Sequence, residues 1–233
     1  MHWADVVAVN LSRRGGKQII STGITPSGEF HIGHLREILT GEMISRAAID
    51  AGLDVEFIFI VDDADPLRRV YPFLADEYHE FIGHQIGNIP APDDTGKPDY
   101  ERFTNDGFSY ADYFLNPFLD ALKAIGVNPR IVKNLAAYRS GKFTECIKTA
   151  CDNADKIREI IERVSGRELP SDWFPWSPLD ANGSLEGVTV TGYEYPLVHF
   201  TDSAGNSGSS DITLGLGKLP WSCLLYTSPS PRD

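Results

Sequence analysis

The chain has 233 residues, 42% hydrophobic and 23% charged, with a formal net charge of −12 at neutral pH. That length suits one substantial globular domain, or one domain with an insertion, and the acidic balance argues against a bare nucleic-acid-binding module, because phosphate contacts come from a basic surface. No apolar stretch is long enough to span a bilayer, no signal peptide opens the chain, and Cys146, Cys151 and Cys223 lack framework spacing, so a cytoplasmic, reducing location is expected.

Residues up to about Arg14 read as an amphipathic helix leading into Lys17-Gln18-Ile19-Ile20-Ser21, a short apolar run suited to a buried parallel strand. The stretch from Thr22 to Arg36 is a Gly/Ser/Thr-rich turn with two histidines, and it opens a helix in which Leu35, Ile38, Leu39, Met43, Ile44 and Ala47 recur at helical spacing up to Gly52. A strand, a glycine-bearing turn and a helix N-terminus form an anion cradle, since unpaired N–H groups and the positive end of the helix dipole face the turn. We read this cradle as an ATP site. Gly23, Gly28 and Gly33 carry no side chain to hold a nucleotide off the backbone, and Pro26 stiffens the turn. His31 and His34, three apart, share a helix face and can donate to one phosphate group, whereas in a plain capped helix they would be surface histidines. The Gly-x-Gly-x-x-Gly pattern and the Gly-Lys-Ser/Thr phosphate loop are both lacking.

Asp54 to Val61 is apolar and rich in β-branched and aromatic residues, predicting a second buried strand and a right-handed parallel crossover. Ligands in such sheets sit beyond the carboxyl ends of strands, where Asp62, Asp63 and Asp65 fall. These carboxylates are candidates to contact a substrate ammonium group or magnesium, or else form an acidic loop ion-paired to Arg68 and Arg69. Residues 71–106 are rich in Pro, Asp, Gly and Asn and read as an insertion. Within it, His79 and His84 are five apart, which points them to different helix faces and speaks against a zinc-protease pattern.

Gly107 to Ile125 predicts an aromatic-rich helix ending at Gly126, and Arg130 to Asn134 a third strand. One long helix is expected from Ser140 or Gly141 to Val164, with Phe143, Ile147, Ala150, Ala154, Ile157 and Ile161 on one face and Gly166 at its end. Residues 187–214 alternate polar and apolar with Gly and Asn turns, as a small antiparallel element does. Tyr193-Glu194-Tyr195-Pro196 offers aromatic surface that could stack a base, although strand packing explains it more simply.

Pro26-Ser27-Gly28 followed by His31-Ile32-Gly33-His34 resembles the HIGH motif of class I aminoacyl-tRNA synthetases. The ordered set of His2-Trp3-Ala4-Asp5, Ser21 to Gly28, Val61 to Val70, Asn88-Ile89-Pro90, Trp173-Phe174-Pro175 and Gly217 to Trp221 resembles the class I lysyl form over residues 1–221. The resemblance implies a Rossmann-like, doubly wound α/β catalytic domain with an inserted connective segment. It also implies lysine activation by ATP and magnesium, and transfer of lysine to tRNA(Lys). His31 and His34 would then be catalytic, Pro26, Ser27, Gly28 and Gly33 would bind ATP, and Gly23 and Thr25 would bind the amino acid. Some class I lysyl enzymes carry Cys and His metal ligands in the insertion and near residues 175–210. Here 92–106 has neither and the later region keeps only His199, so no zinc is expected.

After Trp221 the family pattern stops, and residues 222–233 read as a non-native tail of turn composition. The expectation is an incomplete catalytic domain, with the KMSKS loop and the anticodon-binding region beyond it, weakly active or inactive alone. Two rivals remain: a class I synthetase for another amino acid, and a non-catalytic nucleotide-binding module.

Overall fold

The computed structural model describes residues 2–220, which divide into two compact units. The first comprises residues up to Asp63 with Pro72–Glu77 and Ile86–Asn134; the second comprises Ala64–Tyr71, Tyr78–Gln85 and the chain from Leu135 onward. The 71–106 stretch is thus shared between the units. The tail expected over 222–233 lies outside the described residues.

The first unit opens with α1 (Trp3–Ser12), capped by His2, whose Nδ1 accepts the Ala4 N–H at 3.3 Å, while the Asp5 carboxylate accepts the His2 N–H at 2.7 Å. Then come β1 (Gln18–Ile24), α2 (Ile32–Asp50), β2 (Val55–Val61), α3 (Tyr100–Asp106), α4 (Tyr110–Ala124) and β3 (Arg130–Lys133). The helix α2 ends in a Schellman closure at Gly52, φ 80°, whose N–H donates to Ile49 while Leu53 N–H donates to Ala48.

The sheet has the order β1-β2-β3 with both pairings parallel, so all three carboxyl ends reach the same edge. Its first strand runs three residues past the predicted end. Ser21 to Ile24 pair with Ile58 to Val61, and this continuous ladder draws Thr22, Gly23 and Ile24 out of the expected turn, which begins at Thr25. Ile24, Phe59 and Val61 of the strands, Ile38 of α2 and Leu115, Phe118 and Leu122 of α4 form the core. Gly41 lets α2 lie against the sheet, since a Cβ there would come within 2.7 Å of both Phe57 Cε2 and Thr22 Cγ2.

The second unit contains α5 (Asn134–Arg139, whose first residue belongs to the first unit), α6 (Thr144–Asp152), α7 (Ala154–Ser165) and five short strands. The single helix expected over 140–164 is two. Asn153, at φ −117° and ψ 25°, interrupts it and sends its Nδ2 back to the Thr149 carbonyl at 2.8 Å, a side-chain bond that competes with helix continuation. Asn134 likewise begins a helix where the sequence predicted the end of a strand.

After β4 (Ser177–Pro178), the strands β5 (Thr189–Glu194), β6 (Leu197–Thr201) and β7 (Ser207–Asp211) make an antiparallel sheet, and β8 (Gly217–Lys218) pairs with β4. Val198 and Phe200 are buried while Leu197 and His199 are exposed. Tyr138, Ile147, Cys151, Trp176, Val198, Ile212 and Leu219 form this unit's core. No helix among the described residues is long and apolar enough to cross a membrane.

Candidate active site

The turn between β1 and α2 is tightly held. Ser27 N–H donates to the Thr25 carbonyl at 2.9 Å, an i to i+2 bond that closes a γ-turn around the buried Pro26, whose ring fixes the φ such a turn needs. The buried Tyr110, first residue of α4, donates its hydroxyl to the Ser27 carbonyl at 2.9 Å. Gly28 faces open space, for a Cβ placed there meets nothing within 4 Å.

The two histidines meet differently from a simple helix face. His31 is the N-cap of α2, with extended backbone (φ −130°, ψ 178°), and only His34 lies inside the helix. Each imidazole Nδ1 accepts a backbone N–H at 3.0 Å, His31 from Gly33 and His34 from His31. A nitrogen that accepts carries no proton, so both rings hold theirs on Nε2 and present an Nε2–H donor. The ring centroids are 4.0 Å apart. Burial, and secondarily the electrostatic interaction with His31, holds the His34 pKa below its ordinary value, which keeps that ring neutral at neutral pH. Behind them Phe30 stacks on Phe118 at 4.2 Å and lies 5.0 Å from the His34 ring, so α4 supports the pair through Phe30.

Gly33 has a nearer reason to be glycine than ligand approach, because a Cβ there would lie 2.8 Å from His31 Cε1. Pro26, Ser27, Gly28, His31, Gly33 and His34 thus belong to one turn and helix start, with Gly23 and Thr25 at the end of β1 just before it.

At the same sheet edge Asp62 follows β2 and Asn134 follows β3; Asn134 Nδ2 donates to Asp62 Oδ1 at 3.1 Å, both residues being buried. Asn134 Oδ1 is buried and has no hydrogen-bond partner among the described residues. Asp63, also buried, accepts the Gly87 N–H through its carbonyl at 2.8 Å. Lys133, the last residue of β3, pairs with Asp112 of α4 at 2.5 Å, and Asp112 also accepts from the Ser109 hydroxyl at 2.7 Å. Burial raises the Asp112 pKa, but the bonds from Lys133 and Ser109 outweigh it and hold the carboxyl below its usual value.

The third aspartate of the acidic run differs. Asp65 belongs to the second unit, where it pairs with the buried Lys218 and, at 3.2 Å, with Arg68. The ion-paired alternative thus describes Asp65, although Arg69 lies over the Tyr71 ring at 5.0 Å rather than on a carboxylate. His84 uses Nε2 to donate to the Asn182 carbonyl at 2.9 Å. Among the described residues no group of three or more His, Cys, Asp or Glu side chains is arranged to hold a metal ion.

In the second unit Tyr193 packs against the core and donates to Asp152 at 3.1 Å; burial, then that bond, raises its pKa. Tyr195 remains about half exposed, with Lys148 Nζ 5.2 Å from its ring centre.

Sequence reasoning did not single out Tyr110, Asn134, Lys133 or Phe30. For Tyr110 a signal existed: Ser109 and Asp112 form a capping box that fixes where α4 starts. What its hydroxyl would meet was not legible.

The family model described as tRNA synthetases class I (K) matches residues 1–223. The chain is 41% identical over 224 residues to a lysine--tRNA ligase of Methanosarcina barkeri, covering 95% of this chain and 40% of that protein. It is 38% identical to one of Thermoplasma volcanium (95% and 41% covered) and 38% identical to one of Archaeoglobus fulgidus (95% and 43%). The chain thus spans about two fifths of the length of the curated relatives it matches. With the parallel sheet, the γ-turn and the histidine-capped helix in place, the extent of the match leaves one assignment: the chain belongs to the class I (K) family of tRNA synthetases.

Proposed function

We propose that the protein activates lysine with ATP and transfers it to tRNA(Lys), acting in the cytoplasm as a lysine--tRNA ligase. The observation that carries this reading is the pair of Nε2–H donors that His31 and His34 present at the start of α2, in a chain similar to proteins named lysine--tRNA ligase. In the first step the lysine carboxylate attacks the α-phosphorus of ATP, the bond to the bridging oxygen breaks and pyrophosphate leaves. In the second a ribose hydroxyl of the terminal adenosine attacks the acyl carbon and AMP leaves.

Negative charge grows on the phosphate oxygens in the first step, and donors already fixed in place lower its barrier without reorganising. His31 and His34 fill that role, each oriented by the backbone N–H that its Nδ1 accepts. Pro26, Ser27, Gly28 and Gly33 line the ATP cradle, and Gly23 and Thr25 hold lysine. Asp62 and Asp63 supply the negative charge that a substrate ammonium needs, Asp62 being steered by Asn134. Asp65, committed to Lys218 and Arg68, stands outside this role. Magnesium comes with ATP, whose phosphates are its ordinary ligands, and this reading assigns no zinc.

The test is a thermal-shift panel on the purified chain with non-hydrolysable aminoacyl-sulfamoyl adenosines. A ligand binding only the folded state at one hundred times its Kd adds about 2.7 kcal/mol of stability. The lysyl analogue should raise Tm more than those carrying other amino acids. A larger shift with another amino acid would reassign the substrate, and no shift with any would overturn the reading.

A further inference from the structure

The Tyr110 hydroxyl reaches across 83 positions of sequence to the Ser27 carbonyl, at 2.9 Å, and Tyr110 itself is fully buried. In a planar trans peptide the carbonyl oxygen and the following N–H point in opposite directions. Holding the Ser27 carbonyl toward Tyr110 therefore turns the Gly28 N–H away from Tyr110. The space over Gly28 is open. Three residues on, the His31 backbone N–H is already spent on His34, so it is not the donor this turn offers an anion.

We infer that Tyr110 is a positioning residue for nucleotide binding, which orients the Ser27–Gly28 peptide so that the Gly28 N–H donates to a phosphate of ATP. This rests on the ATP-site reading above. Tyr110 is itself anchored: its N–H donates to the Ile89 carbonyl at 2.9 Å, the Ser109–Asp112 capping box sets the start of α4, and Lys133 ties Asp112 to the end of β3. The peptide plane is thereby referred to the sheet edge through side chains that need not touch the ligand.

The deciding experiment is calorimetric titration of the 233-residue chain and its Tyr110→Phe variant with two probes, ATP and adenosine. Phenylalanine keeps the ring that packs on Phe114 at 5.1 Å and removes only the hydroxyl. A positioned donor to phosphate requires ATP affinity to fall about five- to tenfold, the effect of one hydrogen bond, with adenosine affinity unchanged; the lost buried bond lowers the Tm of the free chain by a few degrees whether or not the donor is positioned. Equal loss for both probes, or unchanged ATP affinity, overturns the inference. Failure of the unaltered chain to bind either probe overturns the ATP-site reading itself. A second measurement needs no variant: the Gly28 amide resonance of the ¹⁵N-labelled chain should move downfield with ATP and not with adenosine, and a stationary resonance overturns the inference.

Discussion

Gly33 leaves the ring of His31 its place: a Cβ at position 33 would stand 2.8 Å from His31 Cε1 and 2.9 Å from Nδ1. The neighbour that must give way is the end of an exposed side chain rather than backbone, so stability has little to lose and the imidazole pair has much. Gly33→Ala should keep Tm within about 2 °C of the parent while lowering ATP affinity roughly tenfold, a loss of one or two donors. Calorimetric titration beside a melting curve checks both; unchanged affinity would separate the ring placement from binding.

At Gly41 the balance is reversed. A Cβ there meets the core atoms Phe57 Cε2 and Thr22 Cγ2 at 2.7 Å, between a helix and the sheet it covers. Overpacking costs about 1–3 kcal/mol, against which alanine regains about 1 kcal/mol of helix propensity. Gly41→Ala should still destabilise by about 1 kcal/mol, and urea unfolding would show it as a lower midpoint at unchanged m-value. A stabilised variant would contradict the close packing of α2 on β1 and β2.

His34 has a pKa depressed by burial and by His31, so below the ordinary histidine value the unfolded chain takes up a proton that the folded chain resists. Stability contributed at this position is therefore complete above that value and is lost as pH falls below it through the lower folded pKa. Protonation at Nδ1 would also end the bond from His31 N–H. Glutamine suits the same capping position without titrating. Between pH 7.5 and pH 5 the Tm of His34→Gln should fall about 2 °C less than that of the parent. Parallel melting curves over this range decide it.

Asp112 carries the opposite sign. Its folded pKa is held below the usual carboxylate value despite burial, so its stabilisation is present above that value and disappears as pH falls through the folded pKa. Its Lys133 partner is 40% exposed, which discounts the ion pair and leaves the bonds to Ser109 as the firmer part. Asp112→Asn should cost about 1 kcal/mol at pH 7 and less at pH 3. Denaturant unfolding at the two pH values tests the difference.

Features that neighbours in the chain decide together were legible from residue order alone. The apolar run of β2, the glycine closures at Gly52, Gly126 and Gly166, and the turn from Thr25 into a histidine-bearing helix all follow from period and local backbone preference. The helix break at Asn153 was local too, but it turns on one side chain's competition for a carbonyl, which an apolar period does not register.

The tertiary structure alone decided the contacts that give the site its geometry. The end of β1 was set by the ladder with β2, which carries Gly23 into the strand. Asp62 and Asp65, three positions apart and alike in a sequence, were separated because one met Asn134 and the other met Lys218, 153 positions away. Tyr110 met Ser27 in the same manner. Such pairings depend on which chain segments a closed core brings within hydrogen-bond reach, and a hydrogen bond works only within a few tenths of an ångström and a narrow range of angles, so residue type and spacing leave them open.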